Sequence, residues 1–339
     1  LLTLLRQNKG YCQRYLAMII LKDSEENIKK AAEVIKKGGL VAFPTETVYG
    51  LGADATNPEA VAKIFEAKER PYFDPLIVHI ANKADILKVA QSPDRRTEFL
   101  IERFWPGPLT VILKKRENIP DIVTSGLETV AVRMPSHETA LSLIRESSTV
   151  VAAPSANKFS SLSPTTARHV FEQLGNAVDF ILDGGQCLVG IESTIVKIEE
   201  DSIKLLRPGG IPKEAIEDCL SLEVVEMQQH LKVEAPGQLD YHYSPQKPVV
   251  LVDKIPVDDN NAGFLFFTKP SFNIPLDRSF ILSADGDLRE AAANLFLALH
   301  FLDSLDIKRI YAQRLPEKGL GLAIMDRLKK ASMKFKNFS

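Results

Sequence analysis

Apolar positions recur with a helical period at Ile28, Ala31, Ala32 and Ile35, between a polar lead-in of Asp23 and Glu26 and the pair Gly38-Gly39. That pattern predicts a helix opened by a capping box and closed by glycine. The apolar run Leu40–Phe43 predicts a strand directly after it. Asn57-Pro58 reads as the cap and first turn of a second helix with Val61, Ile64 and Phe65 on one face, which places Lys68 near its C-terminal end, before Arg70-Pro71. Strand patterns follow at Leu76–Ile80, Leu109–Leu113, Thr129–Arg133, Val150–Ala153, Asp179–Leu182, Thr194–Ile198 and Ile203–Leu206, with helical patterns around 94–104, 137–146 and 165–174. Strands succeed one another directly near 109–133 and 194–206. A twisted mixed sheet with antiparallel pairs is therefore predicted, in an α/β domain, rather than a regular alternation of strand and helix.

The pattern weakens over 222–246, through Met227-Gln228-Gln229-His230 and Ala235-Pro236-Gly237, and this stretch is predicted to be a linker. Beyond it, strands at Val249–Val252, Gly263–Phe267, Phe280–Leu282 and Arg309–Ala312, with helices near 287–303 and 320–332, predict a small α/β unit over 247–339. A clean pattern begins only after Met18. Residues 1–17 are accordingly expected to be a non-native or disordered extension, with the first folded unit over 18–221.

With 339 residues, 45% hydrophobic and 25% charged, the chain has ordinary globular composition and length enough for two domains. Its formal charge of -2 excludes a protein that coats nucleic acid or anionic membrane by global charge, so any phosphate binding must be local. Cys12, Cys187 and Cys219 are far apart and form no CxxC pair, which argues against a disulfide framework or zinc knuckle and for a reducing compartment. No apolar run approaches the roughly 18 to 20 residues of a membrane span, and Arg6, Lys9 and Arg14 interrupt the N-terminal apolar stretches. A cytoplasmic protein without membrane contact is expected.

Several familiar chemistries are missing. There is no GxxxxGKS/T phosphate loop, no HExxH and no GxSxG elbow. Gly50, Gly52 and Ala55 satisfy the loosest dinucleotide fingerprint, yet Pro44-Thr45-Glu46-Thr47 precedes them where that motif needs a strand running into its turn. What remains is a set of cations and small polar residues at element ends. Lys68, Arg70, Arg133 and Arg207 each read, taken singly, as solvated surface charges. Thr129, Ala131 and Arg133 share one strand face opposite Val130 and Val132, as on any half-exposed sheet. The hydroxyls and amides of Ala153-Pro154-Ser155-Ala156-Asn157 and Ser163-Pro164-Thr165 suit phosphate or carboxylate ligands. They equally suit turns and caps, and Ser163 before Pro164 reads as an N-cap. His79 stands opposite Leu76, Val78 and Ile80, and reads first as a satisfied packing residue.

Taken together, Phe43 to Gly52, Lys68-Glu69-Arg70-Pro71, Pro75 to His79, Trp105 to Thr110, Val132 to Pro135, Ala153 to Asn157 and Glu192-Ser193-Thr194 resemble, in order and spacing, the YrdC-like family over about residues 22–220. Ala235-Pro236-Gly237 with His242-Tyr243-Ser244-Pro245, and the extra α/β unit, resemble the two-domain threonylcarbamoyl-AMP synthases. The resemblance implies an open cationic cavity in a twisted sheet, a linker lying across it, and a small Rossmann-like C-terminal domain. It implies Lys68 and Arg70 as catalytic, a threonine pocket of Thr45, His79, Arg133, Ala153 and Ser193, and ATP contacts from Lys68, Arg70, Thr129, Ser155, Asn157, Ser163, Arg207 and Tyr243. One departure stands out: the family's asparagine after the Lys-x-Arg element is Asp74 here, a carboxylate near expected anions and so outside the expected site.

The implied reaction joins L-threonine, bicarbonate or CO2 and ATP into L-threonylcarbamoyl-AMP, the intermediate that a downstream transferase machinery places on tRNA. It needs cations and positioning rather than a side-chain nucleophile. Mg²⁺ is expected to arrive on ATP, with no tightly held protein metal site; a weak contact with tRNA is allowed. Three rivals use the same fold. Carbamoyl transfer in hydrogenase maturation would need zinc-finger cysteine pairs that the chain lacks. An RNA-binding or ribosome-associated protein without synthase activity would bind regardless of threonine and weaken steeply with salt. A scaffold whose linker only tethers would keep nucleotide turnover after loss of residues beyond 235.

Overall fold

The computed structural model describes residues 19–226, 233–239 and 242–335. The expected extension over 1–17 and Cys12 lie outside the described residues. The N-terminal unit is built on β1 (Ile20–Lys22), β2 (Val41–Phe43), β3 (Gly50–Asp54), β4 (Ile77–His79), β5 (Leu109–Lys114), β6 (Thr129–Arg133), β7 (Val151–Ala152), β8 (Phe180–Asp183), β9 (Thr194–Ile198), β10 (Ile203–Arg207) and β11 (Val224–Glu226). They form one sheet in the order β1-β8-β2-β3-β7-β4-β6-β5-β9-β10-β11. Parallel and antiparallel neighbours alternate irregularly, as the directly succeeding strands required. The sheet runs on through β11, which pairs parallel with β10 inside the stretch expected to be linker.

Helix α1 (Glu25–Lys36) turns Ile28, Ala31, Ala32 and Ile35 into the core, and α2 (Pro58–Lys68) buries Val61, Ile64 and Phe65. The cap of α1 is Ser24, whose hydroxyl accepts from Asn27 N; Asp23, expected in that role, instead accepts from Thr139 Oγ1. Asn57 caps α2 as expected, and Glu69, in the left-handed region, ends it right after Lys68. Three further helices, α3 (Arg95–Phe104), α4 (Glu138–Ser147) and α5 (Ala167–Leu174), cover the sheet, and α6 (Lys213–Leu220) leads to β11. Thr166, not Ser163, caps α5, because its side chain reaches His169 N.

Strand β3 carries no side-chain alternation to betray it. A Cβ on Gly52 would stand 2.7 Å from Phe43 Cε1 and 2.8 Å from Val151 Cγ1. The glycines therefore serve close packing between neighbouring strands, and the loose dinucleotide fingerprint has no phosphate turn behind it.

The C-terminal unit is a four-stranded parallel sheet, β12 (Val249–Val252), β15 (Arg309–Gln313), β13 (Ala262–Phe266) and β14 (Ser279–Ile281) in that spatial order, with α7 (Leu288–Ser304) and α8 (Leu320–Met333). One hydrophobic cluster crosses the boundary between the units: Val48, Leu162, Ile191 and Tyr243 pack with Leu295, Phe296 and Leu299. Gly190, at φ +72°, lets α7 approach so closely that a Cβ there would lie 2.5 Å from Ala293 Cα. Among the described residues no helix is long and apolar enough to cross a membrane, and Cys187 and Cys219 are free thiols.

Across the same boundary His169 of α5 stacks on His300 of α7, with ring centroids 3.8 Å apart and planes 18° from parallel. Burial, then the facing ring, pushes His169 down to about 3, and burial also lowers His300. Burial pushes His79 down to about 3 as well. An unfolded chain would protonate these rings below a pH of about 6.5 while the folded chain does not, so their contribution is present above that pH and lost as pH falls toward 3. The urea midpoint of the protein is expected to drop from pH 7.5 to pH 5, and H169N to drop less. Equal drops in the two proteins would contradict this.

A covered cationic cavity

The sheet's register assembles one polar row. His79 of β4 lies opposite Arg133 of β6, and Arg133 lies opposite Thr110 of β5. Thr110 and Ser193 share a hydrogen bond of 2.8 Å, and Arg207 of β10 donates to Ser193 Oγ at 3.0 Å and to Ser193 O at 2.9 Å. Four strand ends thus bring together side chains far apart in sequence. The neighbouring part of this face is apolar: Ile77, Ile112, Ala131, Ile195 and Leu206 pack with Ala235 of the linker.

Above the row lies a cavity of about 40 Å³. Thr45, Arg70, His79, Arg133, Ala153, Ser155 and Arg207 line it from below, and Pro236, Gly237, His242 and Tyr243 line it from the linker side. Such a space holds a few waters at roughly 10–15 Å³ each. Pro236, Gly237, His242 and Tyr243 of the linker thus form part of the wall of the cavity that the resemblance describes as open. Lys68, Asn157, Ser163 and Ser193 stand just behind its wall. Thr129 does not join them: it shares Arg133's strand face, but four residues away along an extended chain is about 13 Å, and its backbone pairs with Lys114 at the strand's other end.

Each cation has a defined hold. Lys68 Nζ donates to Ser155 O and Asn157 O at 2.5 Å each, pinning the loop after β7. An ammonium has three donors, so one remains. Burial, then the charge of Arg70, pulls its pKa well below the usual lysine value. Arg70 donates to Asp74 O at 3.0 Å and Pro75 O at 2.9 Å, and its Nη2 lies 2.9 Å from Asp74 Oδ2. Asp74 is fully buried, its carboxylate close to the guanidinium without a well-aligned hydrogen bond among the described residues. Arg133 Nη2 donates to Glu46 Oε1 at 2.7 Å, while its Nε has no partner among the described residues.

The neutral groups are equally committed. Thr45 Oγ1 donates to Val48 O at 2.6 Å and so fixes the turn that presents Glu46. Asn157 Nδ2 donates to Lys158 O and Ser161 O, shaping its own loop. Ser163 Oγ donates to Glu192 Oε1 at 2.5 Å, which leaves it lone pairs, not a proton, to offer a ligand. Buried His79, where a satisfied packing ring was expected, has an Nδ1 unpaired among the described residues and lies edge-on to Phe43. Tyr243 sits at φ 59°, fully buried, with its hydroxyl unpaired among the described residues. Strain of that kind in a non-glycine residue costs about 1–3 kcal/mol and persists where surrounding contacts enforce it.

Glu46, Thr110, Glu192, His242 and Arg327 belong to this site or its support, and sequence reasoning did not select them. Glu46, Thr110, Glu192 and His242 lie within runs that carried the resemblance, and two carboxylates amid cations were the available signal. Among the described residues no group of three or more His, Cys, Asp or Glu side chains could hold a metal ion. Glu46, Asp74 and Glu192 each face an arginine.

Comparison with known proteins adds the following. The family described as telomere recombination matches residues 33–209, and the family described as threonylcarbamoyl-AMP synthase, C-terminal domain, matches residues 211–333. The threonylcarbamoyl-AMP synthase of Pyrococcus abyssi is 44% identical over 328 residues, which cover 91% of this chain and 94% of that protein. The Bacillus subtilis protein of the same name is 40% identical, covering 92% and 94%. The crystal structure of P. abyssi Sua5 complexed with L-threonine superposes with a TM-score of 0.85 at 41% identity, covering 93% of this chain and 96% of that one.

Proposed function

The chain belongs to the threonylcarbamoyl-AMP synthase family, and from that premise we propose how its covered cavity makes L-threonylcarbamoyl-AMP from L-threonine, bicarbonate or CO2, and ATP. The observation that carries the reading is that Arg70, Arg133 and Arg207, all buried, line one small space beneath the linker, with buried Lys68 just behind its wall, bonded to Ser155 O and Asn157 O. Threonine's amine adds to CO2 with loss of a proton, or to bicarbonate with loss of water, to give an N-carboxylate. One of its oxygens attacks the α-phosphorus of ATP, and the bond to the bridging oxygen breaks to release pyrophosphate. Both partners are anions, so buried cations that hold them close remove much of the repulsion, and more so than in water.

Arg133, with Nε free and Nη2 fixed by Glu46, takes the threonine carboxylate. His79 stays neutral, its pKa down at about 3, and its unpaired nitrogen accepts from the threonine hydroxyl. Lys68, with one donor to spare, and Arg70 and Arg207 take the phosphates. An arriving phosphate restores to Lys68 the charge that burial disfavours. Ser163 offers a lone pair to a donor on the nucleoside. Since the cavity carboxylates are occupied by arginines, the residues do not compose a metal cage, and Mg²⁺ travels with the triphosphate as part of the substrate.

ATP is far larger than the present cavity, so the linker lifts to admit substrates and closes over them, excluding water from a labile mixed anhydride. Gly237, at φ +85°, is tightly packed in the closed linker: a Cβ would lie 2.6 Å from Tyr243 Oη and 2.9 Å from Arg207 Cδ. Gly237→Ala is expected to lower synthesis at least about tenfold through loss of the closed form, with the thermal midpoint nearly unchanged. Unaltered synthesis would contradict the lid. The product passes to the tRNA-modifying transferase machinery, with at most a weak tRNA contact, in the cytoplasm.

The test is mass spectrometry of products formed with ¹³C-bicarbonate, L-threonine and Mg·ATP. Labelled threonylcarbamoyl-AMP that disappears on omission of any one substrate is expected. An unlabelled threonyl adenylate would overturn the reaction.

A further inference from the structure

We propose that Arg327, contributed by the C-terminal unit, is a positioning residue that neutralises Glu192 on the cavity wall and thereby keeps the nucleotide half of the site receptive to a triphosphate. The inference rests on the adenylate-forming reading above. Arg327 projects from α8, is fully buried, and is the largest such side chain among the described residues. Its Nε donates to Glu192 Oε2 at 2.9 Å with Nη2 alongside at 2.9 Å, and Nη1 reaches Pro208 O at 2.5 Å and Asp326 Oδ2 at 3.0 Å. The guanidinium lies over the Tyr243 ring, 5.1 Å from its centroid. One helical turn on, Lys330 donates to Gly237 O of the linker at 2.7 Å.

A buried guanidinium needs a reason beyond packing. Desolvating it is costly, and an apolar side chain of similar volume often serves stability as well or better. The reason here is Glu192. One of its oxygens holds Ser163, and the residue lines the cavity in which a triphosphate and an N-carboxylate must meet. An uncompensated carboxylate there would repel both anions, most strongly the triphosphate. Arg327 cancels that charge from behind the wall, fixes the carboxylate that orients Ser163, and supports the ring of the linker tyrosine. The C-terminal unit is then part of the site's electrostatics, in addition to being an attachment for the linker.

The test compares steady-state ATP and threonine KM for wild type, R327M, E192Q and E192Q/R327M. R327M is expected to raise the ATP KM about tenfold or more, with the threonine KM changed by less than about twofold, since like-charge juxtaposition is penalised far more than lost packing. E192Q/R327M, with neither charge, is expected to return to within about threefold of wild type. E192Q alone leaves an extra positive charge and is expected to lower the ATP KM. A role in packing alone expects the opposite: a double variant no better than R327M, and E192Q with a raised or unchanged ATP KM. Either result overturns the proposal. Should R327M fail to fold by circular dichroism, the sign of the E192Q effect decides. Wild type without threonine-dependent turnover would overturn the underlying reading, whereas normal wild type with unmoved variants overturns only this inference.

Discussion

Lys68→Ala is expected to reduce threonine-dependent pyrophosphate release by about a thousandfold, the scale seen when a preorganised charge is removed from a transition state. Two effects add. The spare Nζ donor that meets developing charge on the phosphates disappears, and the carbonyls of Ser155 and Asn157 lose the donor that pins their loop. Unsatisfied buried acceptors cost about 1–3 kcal/mol, so a lower thermal midpoint is expected too. Activity should therefore be read at a temperature where circular dichroism shows the variant folded. A folded Lys68→Ala protein that keeps a tenth or more of wild-type release would remove Lys68 from the chemistry.

Arg133→Ala should act on a different substrate. It is expected to weaken threonine binding about a hundredfold, the worth of a charge-assisted grip on a carboxylate, and to leave ATP binding within about twofold. The single substitution also strands Glu46, whose partner is lost in a buried position, and breaking such a pair destabilises by about 3–5 kcal/mol. Arg133→Ala with Glu46→Gln removes that complication and should show the same loss for threonine. Titration calorimetry with each substrate separately reads the split. A loss confined to ATP would move Arg133 from the threonine pocket to the nucleotide.

The strands and helices that carry Lys68, His79, Arg133 and Arg207 were legible because apolar periodicity places their ends within a residue or two. The position of Lys68 at a helix end followed from the Asn57-Pro58 cap with Val61, Ile64 and Phe65 and from Arg70-Pro71, whereas its place in the site came from the resemblance. Strand β3 was not legible, since glycines chosen for close packing erase the alternation by which strands are read. Thr129 shows the converse limit: a two-residue period identifies a face but not which end of the strand meets the site. Ser163 looked like a cap because Ser-Pro often is one, yet a carboxylate 29 residues away claims its proton. The pairing of Glu192 with Arg327, 135 residues apart, joins two units and leaves no local trace. Asp74 was set aside as an unwanted anion, and its burial against Arg70 explains how a carboxylate is tolerated there: burial raises its pKa while Arg70, then Lys68 and Arg207, lower it.

The most direct measurement is pyrophosphate release from Mg·ATP with bicarbonate, with and without L-threonine, by wild type and by Lys68→Ala. Release that requires threonine and vanishes with the substitution is expected. Release indifferent to threonine, or none from folded wild type, would contradict a cavity built to join an amino acid to a nucleotide.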